Sequence, residues 1–273
     1  MPIISSMLAR IFIALCAVPG FKKNLWRALY NYLARSQRAD DWTFMNYGYA
    51  TSGANSLALD PSDEPERFSL QLYHHVTSSV NLEGHTVVEV GSGRGGGASF
   101  VKRYLRPRRM IGLDLSRNAV DLCRKRHSLE GLEFRVGDAE NLPLEDASVD
   151  AVINVESSHC YPAFEKFVAE VHRVLRPGGH FLYADFRDRA NLESWRKTLT
   201  DSGLSLLRET DITTNVLVAL DRDNERKLTF INRIVPKPLR RSINDFAGMQ
   251  GTTIYEGFQA GRLVYMSFVL SRK

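Results

Sequence analysis

Between about residue 60 and residue 211, short apolar runs alternate with longer segments whose apolar residues recur every three or four positions. Continuous apolar runs bounded by turn residues read as strands buried on both faces, and the longer period reads as helices packed on them. The alternation predicts a parallel sheet with crossover helices. Strands are expected at 86–90, 109–114, 132–136, 149–155, 180–186 and 204–211. A helix should open after Ser116, a good N-cap, and cover 117–129. Another, at 162–175, places Phe164, Phe167, Val168, Val171 and Val174 on one face; Pro162 suits its first turn, and Arg176-Pro177-Gly178-Gly179 ends it. The polar stretch 213–261 lacks strand alternation and reads as a helical insertion, after which 263–270 returns to strand composition and rejoins the sheet. The expected organisation is one α/β domain over 60–273, preceded by helices in 1–59.

With 273 residues, 44% hydrophobic and 25% charged, the chain has a globular composition. A net charge of +5 favours acidic partners or an anionic membrane surface; nucleic acid is not an expected partner. Cys16, Cys123 and Cys160 are odd in number and lack Cys-x-x-Cys spacing, which argues for a reducing, cytoplasmic setting and against a disulfide framework or a zinc site. No cluster has metal-ligand spacing. From Met1 to Ala39 six basic residues and no acid are interleaved with Trp26, Tyr30 and Tyr32. The apolar run 11–18 is too short to span a bilayer. Two readings of this segment stay open: a lid on the protein's own core, or peripheral contact with the inner face of a membrane.

The densest chemical signal follows the first strand, where Glu89-Val90-Gly91-Ser92-Gly93-Arg94-Gly95-Gly96-Gly97 holds five glycines in nine residues. Such a turn lets a ligand approach main-chain N–H groups. By itself the Gly91-x-Gly93-x-x-Gly96 spacing also fits dinucleotide enzymes. In an open parallel sheet, ligands bind beyond the carboxyl ends of the strands, so the other loops matter equally. Asp114-Leu115 ends the second strand, 18 residues past Gly96, where a carboxylate can accept hydrogen bonds from ribose hydroxyls. Gly137-Asp138-Ala139-Glu140 suits an adenine edge, and the fourth strand leads through Asn154 into Glu156-Ser157-Ser158-His159.

In that order, Glu89-x-Gly91-x-Gly93, Asp114, Gly137-Asp138-Ala139 and Leu175-Arg176-Pro177-Gly178-Gly179 resemble the motifs of class I S-adenosylmethionine-dependent methyltransferases. The resemblance implies a Rossmann-like, mostly parallel seven-stranded sheet with helices on both faces, and S-adenosylmethionine as cofactor. Glu89 would lie near its methionine end. The candidate cofactor residues are Glu89, Gly91, Ser92, Gly93, Gly95, Asp114, Leu115, Asp138, Ala139 and Asn154. A narrower resemblance rests on Asp63-Glu64-Pro65, Leu72-Tyr73-His74, Gly137 to Pro143, Ser158-His159-Cys160-Tyr161-Pro162 and Gln250-Gly251-Thr252. These segments look like the mycobacterial phthiotriol/phenolphthiotriol dimycocerosates methyltransferases, which O-methylate a hydroxyl of a long lipid. Asn46-Tyr47-Gly48-Tyr49 resembles a segment that closes over the cofactor in related enzymes.

An alcohol holds its proton too tightly to attack a methyl group unaided, so O-methylation needs a base. His159 is the candidate base, Asp185 at the end of the fifth strand would orient its ring, and Glu156 would either assist or cap the next helix. Glu-Ser-x-His followed by Ala-Asp-Phe also resembles bacterial sugar O-methyltransferases with a His–Asp pair. Phe246, Met249, Tyr255 and Phe258 are candidate apolar walls for a lipid-like acceptor. Sterol-type C-methylation, fatty-acid carboxyl methylation and a non-catalytic membrane- or partner-binding role are the alternatives.

Overall fold

The computed structural model describes residues 43–51, 53, 57–235, 237 and 240–273. The expected N-terminal lid or membrane segment lies, up to residue 42, outside the described residues.

Five short apolar runs form the parallel strands β1 (Thr86–Val90), β2 (Arg109–Asp114), β3 (Leu132–Val136), β4 (Val149–Val155) and β5 (Leu175–Asp188). With β6 (Leu204–Asp211) and β7 (Leu263–Arg272) they make a seven-stranded sheet of order β3-β2-β1-β4-β5-β7-β6. As expected, the last run returns to the sheet: β7 pairs antiparallel with both β5 and β6. The helices are α1 (Arg67–Thr77), α2 (Gly96–Leu105), α3 (Arg117–Arg126), α4 (Phe164–Val174), α5 (Leu192–Asp201), α6 (Thr213–Ile234), α7 (Arg240–Phe246) and α8 (Thr253–Gln259).

Because side chains alternate across a strand, neighbouring residues feed different cores. Val87 packs with Leu70, Leu72 and Val76 of α1 and Phe100 of α2, whereas Val88 packs with Phe167, Val168 and Val171 of α4 and Trp195 of α5. Helices therefore cover both faces. A third, smaller cluster of Ile231, Ile234, Val235, Ile243 and Met249 holds α6 and α7 together.

Three boundaries differ from expectation. Ser116 does cap α3, its Oγ accepting from Ala119 N at 3.2 Å, but the helix stops at Arg126. His127 leaves helical geometry, and its ring lies 3.0 Å from the Arg94 carbonyl under the glycine turn. Ala163 is in a non-helical conformation, so α4 begins at Phe164 rather than at Pro162. The expected 180–186 strand starts at Leu175, already paired with Val149; the register shifts between there and the pairing of His180 with Ala151. Strand order reverses at β1, where β2 lies on one side and β4 on the other, and the cleft beyond their carboxyl ends is where such sheets hold ligands.

Candidate active site

A cavity of about 470 Å³ opens at that point, a size typical of small-molecule sites. One wall follows β1, β2 and β3. Gly91 has φ +77, and a Cβ there would run into the Ser157 side chain, so only glycine fits this turn. The turn does not present the row of free amides its composition suggests. Gly91 N and Ser92 N both donate to Leu113 O, Gly93 N to Asp114 Oδ2 and Gly95 N to Ser92 O. These N–H groups stitch the turn to β2 and to itself. At these four positions a ligand meets closely approached backbone rather than amides left to donate.

Asp114 lies on this wall with one backbone donor on each oxygen, Gly93 N at 2.9 Å and Ser116 N at 2.8 Å. Burial raises its pKa to about 6, with the two amides pulling the other way. A carboxylate oxygen accepts more than one hydrogen bond, so both retain capacity for a ligand. Leu115, Asp138, Ala139 and Glu140 continue the wall. Of the ten candidate cofactor residues, Glu89, Gly95 and Asn154 stand behind the lining. Glu89 is buried and accepts from Tyr73 OH at 2.6 Å, while its Oε2 has no hydrogen-bond partner among the described residues. Burial raises it to about 8, against the pull of the Tyr73 hydroxyl and the nearby Ala98 amide. Tyr73 itself lines the cavity. A Cβ on Gly95 would meet His127, Phe134 and Cys123, on the packed side of the turn. Asn154 is fully buried and donates to Val90 O at 2.8 Å and Tyr161 OH at 3.1 Å.

The opposite wall comes from β4, β5 and the helices after β6. His159 lines the cavity, and its Nδ1 lies 2.8 Å from Oδ1 of Asp185, which is 0% exposed. The other Asp185 oxygen accepts from His159 N at 2.9 Å and Ser158 Oγ at 2.6 Å, and the Arg187 guanidinium lies 3.2 Å away. Burial alone would protonate this carboxyl, but Arg187 and His159 hold it well below the usual carboxylate range. For His159, burial disfavours the charged ring, yet Cys160 and Asp185 push its pKa up to about 10.

Glu156 also lines the cavity, with φ +47, a conformation costing a residue with a Cβ about 1–3 kcal/mol. Its Oε1 accepts from Tyr47 N and Tyr265 OH, each at 2.8 Å. Burial raises it to about 7. Glu156 thus anchors the strap 43–47 that runs over the glycine turn, with Met45 against Gly93 and Phe44 against Gly96. Of the proposed apolar walls, only Phe246 faces the cavity. Met249 and Phe258 are spent in packing, Tyr255 turns its hydroxyl to Asp221, and Ile254 takes the place expected of them.

Sequence reasoning missed Tyr73, Phe186, Arg187 and Tyr265. Phe186 sits with its ring centroid 4.6 Å from that of His159. Position at the end of β5 could have flagged Phe186 and Arg187, since they follow Asp185 directly. Tyr265 reaches the site only because β7 pairs with β5, setting it opposite Phe186.

Residues 88–183 match the methyltransferase domain family. The phthiotriol/phenolphthiotriol dimycocerosates methyltransferase of Mycobacterium tuberculosis is 41% identical over 250 residues, covering 92% of this chain and 93% of that protein. The chain belongs to that family. It is an S-adenosylmethionine-dependent methyltransferase, which removes the dinucleotide and non-catalytic readings. A fatty-acid O-methyltransferase of Mycolicibacterium smegmatis is 42% identical over 220 residues, 81% of this chain and 80% of that protein. In fold, the methyltransferase is similar to geranyl diphosphate C-methyltransferase of Streptomyces coelicolor, with TM-score 0.68 at 16% identity over 94% of this chain and 99% of that one. No helix among the described residues is long and apolar enough to cross a membrane.

Proposed function

We propose that the methyltransferase methylates a hydroxyl of a hydrophobic, lipid-like acceptor, with His159 as base and Asp185 as its orienting partner. The bound cofactor supplies an electrophilic methyl group on a sulfonium. The donor set suits it: Asp114 retains lone pairs for the ribose hydroxyls, Asp138 and Ala139 border the adenine, and Gly91, Ser92 and Gly93 allow backbone approach at the amino-acid end. Glu89 acts on that end through Tyr73. Gly95 and Asn154 hold the turn and Tyr161 in place. With Nδ1–H donated to Asp185, the ring carries its lone pair on Nε2, the atom that takes the acceptor's proton. Asp185, kept anionic by Arg187, stabilises the imidazolium that forms. Phe186, Phe246 and Ile254 give the acceptor apolar surface. The observation that carries this reading is the His159–Asp185 pair on the cavity wall at 2.8 Å.

Carboxyl methylation of a fatty acid is the second reading, favoured by the smegmatis relative and by the upward shift of His159. An imidazolium would hold a carboxylate, which is already ionised and needs no base. The pH profile separates the two. An alcohol needs neutral His159, so turnover should rise as pH climbs through the His159 pKa, which the sulfonium's like charge draws down from about 10. A carboxylate held by the cation should lose kcat/KM over the same climb. His159→Ala should lower kcat on an alcohol by about 10²–10⁴ with cofactor affinity nearly intact. Full turnover on a long-chain alcohol in that variant, with chemistry rate-limiting, would overturn the assignment.

A further inference from the structure

A second cavity of about 260 Å³ lies against the first, and Phe44, Met45, Asn46 and Phe246 line both. The rest of its wall is formed by the apolar Pro65, Phe230, Ile231 and Ala247 and by Glu66, Ser69, Arg226 and Lys227. Its charged members are already matched. Arg226 pairs with Glu66 at 2.8 Å and with the buried Asp223 at 2.5 Å. Lys227, 3.8 Å from Asp223, turns Nζ toward the carbonyl oxygens of Asn46 and Tyr47 at 3.5 Å, and burial lowers its pKa. A chamber whose cations are paired one for one offers an anion nothing to bind, whereas its aromatic and aliphatic surface suits hydrocarbon. Pro65 is exposed, so the chamber borders solvent there.

We infer that the second chamber is the tail subsite of the enzyme: the aliphatic arm of the acceptor runs from the first cavity past Phe246 and the strap residues Phe44–Asn46 into it. This rests on the lipid-acceptor reading above. The strap then serves both ligands, covering the glycine turn with one side and bounding the arm's path with the other. It also explains why α6 and α7, which share their own small core, lie beside the strap: they supply Phe230, Phe246 and Ala247 to the tail rather than to the chemistry. Acceptor length would be read here, in a chamber whose lining does not include His159.

The test is a series of straight-chain alkanols, from octanol to eicosanol, titrated against the full chain saturated with S-adenosylhomocysteine, with displacement of a fluorescent alkyl probe as readout. Turnover of each alkanol with the methyl donor is followed in parallel. Wild-type affinity should rise about fourfold per added methylene until both cavities are filled. Ala247→Trp, which fills the chamber, should end that rise at a shorter chain and leave short alkanols and cofactor binding unchanged. Phe230→Ala should move the end of the rise to longer chains, and it provides the decisive comparison if the tryptophan variant does not fold. Chain-length profiles identical in wild type and folded variants overturn the tail subsite, as does a wild type that binds no alkanol. Alkanols that bind with the expected length dependence but are never methylated would leave the subsite standing and sink the hydroxyl-methylation reading.

Discussion

The two walls of the main cavity are built by different means. The wall proposed for the cofactor consists of turns that each lie a few residues after their own strand, and its polar groups are fastened by main-chain amides and carbonyls: Asp114 by Gly93 and Ser116, and the glycine turn by Leu113. The wall proposed for the acceptor is assembled from side chains far apart in sequence. Glu156 reaches Tyr47 and Tyr265, each 109 positions away. Their electrostatics differ too. Burial raises Glu89 and Asp114, whereas Asp185 sits against Arg187 and His159 and is depressed. In the proposed mechanism the first wall receives the sulfonium-bearing cofactor, and the second supplies its own charge pair for proton transfer.

The largest expected effect that sharpens this contrast is on the cofactor wall. Asp114→Ala should weaken S-adenosylhomocysteine binding, measured calorimetrically, by two charge-assisted hydrogen bonds of about 1.5–3 kcal/mol each. Unchanged affinity would remove Asp114 from the site. The raised pKa values add a sign. Without ligand, Asp114 is protonated below about 6 and Glu89 below about 8. Asp114, the one of the two that lines the cavity, accepts ligand hydrogen bonds best as a carboxylate, so binding at lower pH must first release its proton. Affinity should therefore climb as pH rises towards about 6 and level off above. A fall over that interval would mean that the ligand binds the neutral carboxyl.

This difference in construction also decides what could be read from the sequence. The placement of Gly91, Gly93, Asp114 and the Asp138 turn around the cavity could be read because each follows the end of its strand, and strand ends are visible in the apolar pattern. The placement of His159 beside the same cleft was legible for the same reason. What was not legible depends on pairing. Nothing near Tyr265 signals that β7 will set it against Glu156, and nothing in α8 tells Ile254, which faces the cavity, from Phe258, which is buried behind Phe186. Glycine density was misleading in one respect: it implied free amides, whereas those at 91, 92, 93 and 95 are consumed within the fold.

A smaller effect tests whether Glu156 belongs to the chemistry or to the strap. Glu156→Gln keeps a carbonyl oxygen for Tyr47 N and Tyr265 OH but can no longer take a proton. If Glu156 is an anchor, kcat on an alkanol should fall by no more than about tenfold, the scale of weakening one charged hydrogen bond. Glu156→Ala should be worse, mainly through KM, because the strap loses its partner. A glutamine variant as inactive as the alanine one, with cofactor affinity intact, would make Glu156 the base and erase the division of labour between the two walls.

The smallest effect on catalysis is expected from the N-terminal segment, which extends the comparison outside the cavity. We propose that its basic and aromatic residues help the enzyme collect an insoluble acceptor from an anionic surface. Adsorption of this kind draws on buried apolar area and on about 1 kcal/mol per basic residue near anionic lipid. Neither contribution bears on an acceptor already in solution. Deleting Met1–Gly20 removes the apolar run 11–18 and Arg10 but keeps five basic residues up to Ala39. It should therefore weaken binding to phosphatidylglycerol-containing vesicles markedly, while turnover on a short soluble alkanol changes little. Raising the salt concentration should weaken what binding remains, since the residual attraction is electrostatic. Equal losses of vesicle binding and of soluble turnover would mean that the segment is a lid on the acceptor wall and acts on the second wall directly.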